Sequence, residues 1–165
     1  MKVWIDLISG DEMVSDSYPH TDVFNGAGLE VKARYRTKGS DFIAIASDDV
    51  NDDEAPGETV VDIVDAFKLN ETNFDKKAFM AWCKAYMAKL VTVLESNGKA
   101  DRVPEFKKGA TEMVKFIVSK FDEFQFYAGA KFDMEAGLAF SYQKEQSDEG
   151  PTFLFFADGM REEKF

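Results

Sequence analysis

The sequence predicts an α+β fold on three observations. Apolar residues alternate near both ends of the chain, they recur at every third or fourth position through the middle, and an acidic, turn-rich stretch interrupts the first of these patterns. Period two marks strands with one buried face. It runs through Val3, Ile5 and Leu7, through Leu29, Val31, Ala33 and Tyr35, and through Val61 and Ile63. It returns at Phe124 and Phe126 and at Leu138, Phe140 and Tyr142. Thr152 to Phe156 is a β-branched and aromatic run between the turn signals Gly150-Pro151 and Asp158-Gly159.

The helical elements lie between these strands. Phe79, Cys83, Tyr86, Leu90, Val93 and Leu94 recur at helical spacing, with Asp75 placed to cap the start and Gly98 to end the helix. A second helix begins after Asp101, with Pro104 in its first turn and Phe106, Ala110, Met113, Ile117 and Phe121 on one face. Only residues 98–102 separate the two, so residues 74–121 form an antiparallel helical hairpin. Residues 40–59 hold seven acids and Pro56-Gly57 with few large apolar side chains, the composition of a mobile acidic loop. No internal repeat or boundary appears, and the chain is expected to form one domain over residues 1–165.

With 45% hydrophobic residues and 16 Phe, the chain can bury enough apolar surface to offset the entropy of folding. A net charge of -11 repels phosphate backbones and anionic lipid, which opposes nucleic acid as a partner. The single cysteine, Cys83, excludes an internal disulfide and suits a reducing compartment. The start places Asp6 where a signal peptide would need apolar residues, and no run of about 18 apolar residues occurs. A cytoplasmic protein without membrane insertion is expected.

The charge is unevenly divided. Residues 74–121 carry ten basic and five acidic side chains, a net of +5, which leaves -16 on the remainder. A basic hairpin on an acidic body can orient the molecule toward an acidic partner. The same lysines would also serve as the solvated face that any surface helix needs.

Catalysis needs residue types that the sequence does not assemble. The only histidine, His20, and Cys83 lie in different elements, and Cys83 sits on an apolar helix face that disfavours a thiolate. Zinc-helix, nucleotide-loop and nucleophile-elbow motifs are missing from the sequence. Asp6, Asp11, Glu12 and Asp16 could form an acid-base pair, but nothing fixes their separation. Calcium is a better use for carboxylates, since this hard cation takes roughly six to eight oxygen ligands in flexible geometry. Asp48, Asp49, Asp52, Asp53 and Glu54 are the candidates for a weak calcium site, against the plainer reading of a solvating loop. An EF-hand is excluded, because Glu54 stands where glycine is needed and Val60 where the bidentate Glu belongs.

Four separated stretches carry a family resemblance. They are Asp6-Leu7-Ile8-Ser9-Gly10-Asp11-Glu12, Val60-Val61-Asp62-Ile63-Val64-Asp65, Phe126-Tyr127-Ala128-Gly129 with Glu135-Ala136-Gly137-Leu138, and Asp158-Gly159-Met160 near the end. Their order resembles the translationally controlled tumour protein (TCTP) family over essentially the whole chain. The acidic loop and the Asp62-Ile63-Val64-Asp65 run are most similar to its protist branch, apicomplexan members included. Two departures stand out: Ala130 follows Gly129 where the family usually has Glu, and the family's loop signature is replaced by the more acidic run from Asp48 to Glu54.

The resemblance implies a β-tent body with a projecting helical hairpin, related to a zinc-binding chaperone of Rab GTPases but without that protein's cysteines. It implies calcium binding, association with tubulin and microtubules, and partner binding in growth and survival control, with no enzymatic bond chemistry. It also implies an alternative, nucleotide exchange on a small Ras- or Rab-type GTPase, for which the matching contact residue is Glu12. Acidic tubulin tails make Lys76, Lys77, Lys84 and Lys89 the candidate tubulin contacts. A cleft lined by some of the 16 Phe could bind a small ligand, although a packed core uses Phe equally well.

Overall fold

The β-branched and aromatic run Thr152 to Phe156 forms a strand buried on both faces, and the main sheet is organised around it. A computed structural model describes residues 1–37, 59–145 and 148–164. The strands are β1 (Lys2–Asp6), β2 (Glu12–Ser15), β3 (His20–Val23), β4 (Gly28–Lys32), β5 (Tyr35–Thr37), β6 (Thr59–Val61), β7 (Asn70–Thr72), β8 (Gln125–Ala128), β9 (Ala139–Tyr142), β10 (Thr152–Phe156) and β11 (Met160–Lys164). The helices are α1 (Asp62–Phe67), α2 (Lys76–Ser96) and α3 (Val103–Ser119). Antiparallel pairing gives a six-stranded sheet in the order β3-β4-β10-β9-β8-β7, a three-stranded sheet β11-β1-β2 and a ribbon β5-β6. This is the α+β architecture expected.

Alternation along the central strands divides two cores. Leu154 and Phe156 of β10, Phe140 and Tyr142 of β9, and Phe126 of β8 face the cluster built by the helical hairpin. Phe153, Phe155, Ala139 and Tyr127 face the other side, where they meet Trp4, Met13, Leu29, Val31 and Ile63. Phe79 of α2 is fully buried and packs edge-on against Phe140, 5.8 Å between ring centroids.

The hairpin follows its local signals. Asp75 caps α2 by accepting a hydrogen bond from the Ala78 amide at 2.7 Å. At the other end Gly98 adopts φ +76°, while the amide of Lys99 reaches Leu94 and that of Gly98 reaches Glu95, the paired bonds of a Schellman ending. Pro104 lies in the first turn of α3. The connection is pinned by Arg102, whose guanidinium grips Asp158 through two bonds of 2.9 and 3.1 Å and donates to the Asn25 carbonyl.

Several expectations are corrected. Val61 and Ile63 do not continue one strand, because β6 ends at Val61 and Ile63 is buried in α1. The Asp62 carboxylate accepts from the Ile63 and Arg34 amides, and the backbone is helical from Asp62 on. Tyr35 is 54% exposed instead of continuing the buried row of Leu29 and Val31. Leu7 and Phe121 lie beyond the ends of β1 and α3, Phe121 in a 3-10 turn still packed on Phe79. Asp48, Asp49, Asp52, Asp53 and Glu54 lie outside the described residues, as does nearly all of the stretch read as a mobile loop.

Helix α3 approaches the β3–β4 turn so closely that Gly109 has no room for a side chain. A Cβ there would overlap the Phe24 carbonyl and stand 2.7 Å from the Ala27 methyl. Helix propensity alone favours alanine by about 1 kcal/mol. We predict the opposite sign: Gly109→Ala should destabilise the protein by roughly 1–3 kcal/mol in urea unfolding, the cost of overpacking. A neutral or stabilising result would contradict this packing.

Candidate functional site

The sharp turn between β1 and β2 contains the acids of the opening motif, and burial separates them into different roles. Asp6 is 2% exposed and Asp11 is 6% exposed, whereas Glu12 points to solvent at the start of β2. A buried carboxylate is stable only if its lone pairs are satisfied. Asp6 accepts from the Ile8 and Ser9 amides at 3.0 and 2.7 Å through one oxygen and from the Gly137 amide at 3.0 Å through the other. Asp11 accepts from the Lys131 amide at 3.1 Å, and the Lys131 ammonium returns to the Ser9 carbonyl at 2.8 Å.

The turn is therefore bound to residues 129–137, which connect β8 to β9. Close approach requires glycine on that side. A Cβ at Gly129 would stand 2.5 Å from an Asp11 oxygen, and one at Gly137 would overlap Asp6. Other elements hold the same connection. The Trp82 indole of α2 donates to the Met134 carbonyl at 2.8 Å, and Asn70 beside it donates to the Gly129 carbonyl at 2.9 Å. Tyr86 stacks on Trp82 at 4.6 Å, and its hydroxyl occupies the space that a side chain at Gly159 would need. Burial, with Asp6 and then Asp158 adding to it, pushes the Tyr86 phenol well above its ordinary range, so it stays neutral.

Three of the motif stretches read in the sequence thus meet in space as one junction, and most of their residues are structural. Among the acids of the opening turn, Glu12 is exposed while Asp6 and Asp11 are buried. Phe132, which the sequence reading missed, is displayed by the same connection: it is 49% exposed and holds φ +56°. A bulky residue in that conformation is uncommon and is retained where the surroundings determine it. Its only sequence signal is an aromatic residue set between Lys131 and Asp133 in a polar turn.

These residues stand together where the others do not. Lys76, Lys77 and Lys84 are exposed along α2 and touch no carboxylate among the described residues. Seven residues apart, Lys77 and Lys84 fall on one line of the outward face. Lys89 differs: its ammonium donates to the Glu135 carbonyl at 3.2 Å and lies 4.0 Å from that residue's carboxylate. The four lysines do not form one patch. His20 is exposed against the edge of the Trp4 ring, while Cys83 is buried and its thiol is pushed up to about 12 by desolvation, which removes it as a nucleophile at neutral pH. No group of acids, cysteines or histidines among the described residues has the arrangement of a metal site.

Comparison with known proteins decides the family. The model of the family described as translationally controlled tumour protein matches residues 1–161. The chain belongs to the TCTP family. A TCTP homolog of Plasmodium berghei is 42% identical over 173 residues, one of Dictyostelium discoideum 38% over 176, and one of Theileria annulata 36% over 175, each with full coverage of both chains. Apicomplexan relatives are thus present, as the resemblance to the protist branch implied. Among solved structures, the fission yeast protein p23fyp superposes with a TM-score of 0.80 at 32% identity over the whole of both chains. The Caenorhabditis elegans TCTP gives 0.70 at 25% identity, covering all of this chain and 99% of that one. TCTP is a non-enzymatic family, in agreement with the missing catalytic motifs. No helix among the described residues is long and apolar enough to cross a membrane.

Proposed function

We propose that this TCTP-family chain is a single-domain cytoplasmic interaction protein, which docks tubulin and other acidic partners through its hairpin and responds to calcium, in the control of growth and survival. The observation that carries this reading is the division of charge. A molecule of net charge -11 presents Lys76, Lys77 and Lys84 on one helix, exposed and unpaired with carboxylates among the described residues. Unpaired lysines remain available to an acidic tail, whereas Lys89 would first have to release Glu135. The calcium part rests on the composition of Asp48, Asp49, Asp52, Asp53 and Glu54 alone.

A second reading is supported by the junction. Glu12 is an exposed carboxylate on a rigid turn, the kind of group that can compete for the magnesium or nucleotide of a small GTPase.

Replacing Lys76, Lys77 and Lys84 together by Glu should weaken co-sedimentation with microtubules at least roughly fivefold at low salt, while Lys89→Glu alone should have a smaller effect. Equal losses from both variants, or none, would remove the hairpin face as the contact. Repeating the wild-type assay with millimolar calcium tests the metal dependence. For the second reading, Glu12→Ala should abolish any acceleration of nucleotide release from the organism's small GTPases. Acceleration that survives the substitution would eliminate Glu12 from that role.

A further inference from the structure

The helical hairpin does not cover its side of the six-stranded sheet completely. Near the C-terminal end of α3 a groove of about 410 Å³ opens between the helix and the strands β3, β4, β9 and β10. This is within the range of about 300–1,000 Å³ that small-molecule sites occupy. Its walls are aromatic and aliphatic. Phe116 of α3 lies 5.9 Å from Phe24 and 5.5 Å from Tyr142 between ring centroids, and the sheet supplies Leu154 as a floor. These rings belong to the large core, so the walls are rigid: Tyr142 is stacked at 4.7 Å on Phe124, and Leu154 is 1% exposed.

The rim carries two lysines, Lys120 and Lys144. The Lys120 ammonium stands 5.8 Å over the Phe116 ring and meets no carboxylate among the described residues. Lys144, which lines the same groove, donates to Glu30 at 3.0 Å, which uses one of the three donors an ammonium carries and leaves two for another oxygen. Lys144 is balanced by Glu30 and by the nearby Asp148 carboxylate, so the positive charge left at the rim is that of Lys120. The last carbonyls of α3 oppose an anion by roughly half a charge, less than the full charge of Lys120 at the same helix end.

We propose that this groove binds a small amphipathic carboxylate, with an aryl or alkyl body against Phe24, Phe116 and Tyr142 and its anionic head between Lys120 and Lys144. Apolar walls alone would accept any flat molecule. The two ammonium groups at one mouth select the anion. The site involves neither Glu12 nor the exposed lysines of α2, and it stands or falls independently of the microtubule and GTPase readings.

The probe is 4-biphenylcarboxylate, titrated into the whole chain and followed by amide chemical shifts, with 4-biphenylmethanol and 4-phenylbenzylammonium as charge controls. The expected result is saturable shifts centred on Phe24, Phe116, Tyr142 and Leu154, with the carboxylate bound about threefold to fivefold more tightly than the alcohol and the ammonium bound least. Lys120→Glu should erase that preference without changing the melting temperature, and Phe116→Leu should weaken all three ligands. Absence of saturable shifts at millimolar ligand, shifts centred elsewhere, equal affinity for the three ligands, or carboxylate binding untouched by Lys120→Glu would each overturn the proposal.

Discussion

The buried carboxylate of Asp6, with Asp11 beside it, joins the parts of this fold. Asp6 ends the first strand, yet its three amide donors come from its own turn and from Gly137, 131 residues later. Hydrogen bonds to a charged acceptor contribute roughly 1.5–3 kcal/mol each, and a buried acceptor left unpaired costs as much again. The geometry is therefore close to all-or-none. If the β8–β9 connection moves away, Asp6 loses a donor in a place that water does not reach. The glycines of the connection follow from such contacts, since a methyl group at Gly137 would collide with Asp6 and one at Gly129 with Asp11.

The surface is organised by what this junction holds in place. Trp82 ties α2 to the same connection, and Arg102 with Asp158 fastens the far end of the hairpin to the β10–β11 turn. With both ends attached, the hairpin buries its apolar face and keeps its lysines outward. The fixed connection also displays Phe132 in a backbone conformation it would not adopt freely. Rigidity of this kind suits an interaction protein, because a surface that is already ordered loses little entropy on binding.

Much of the fold was legible in local chemistry. Asp75, Gly98 and Pro104 mark the ends of the helices through interactions with residues three or four positions away, and Thr152 to Phe156 announces a doubly buried strand by composition. The edge strands β2, β3, β7 and β11 were not legible, because strands such as Met160–Lys164 owe their structure to pairing with distant partners and not to an apolar alternation of their own. Ile63 was misplaced for a related reason: two apolar positions cannot show that the chain turns helical at Asp62. At the site, sequence placed Glu12 within a motif but could not separate it from Asp6 and Asp11, whose burial depends on contacts more than a hundred residues away. Counting lysines likewise could not distinguish Lys89, held by Glu135, from Lys77 and Lys84.

The claim that Asp6 couples the opening turn to the β8–β9 connection is most directly tested by amide hydrogen exchange in Asp6→Asn. The substitution keeps the size of the side chain but presents an amide N–H to a donor. If Asp6 is the coupling group, protection should fall together at Ile8, Ser9, Lys131 and Gly137, while the amides in the middle of β10 remain protected. Loss of protection confined to Ile8 and Ser9, with Lys131 and Gly137 unchanged, would show that the two segments are held by other contacts and would contradict the account.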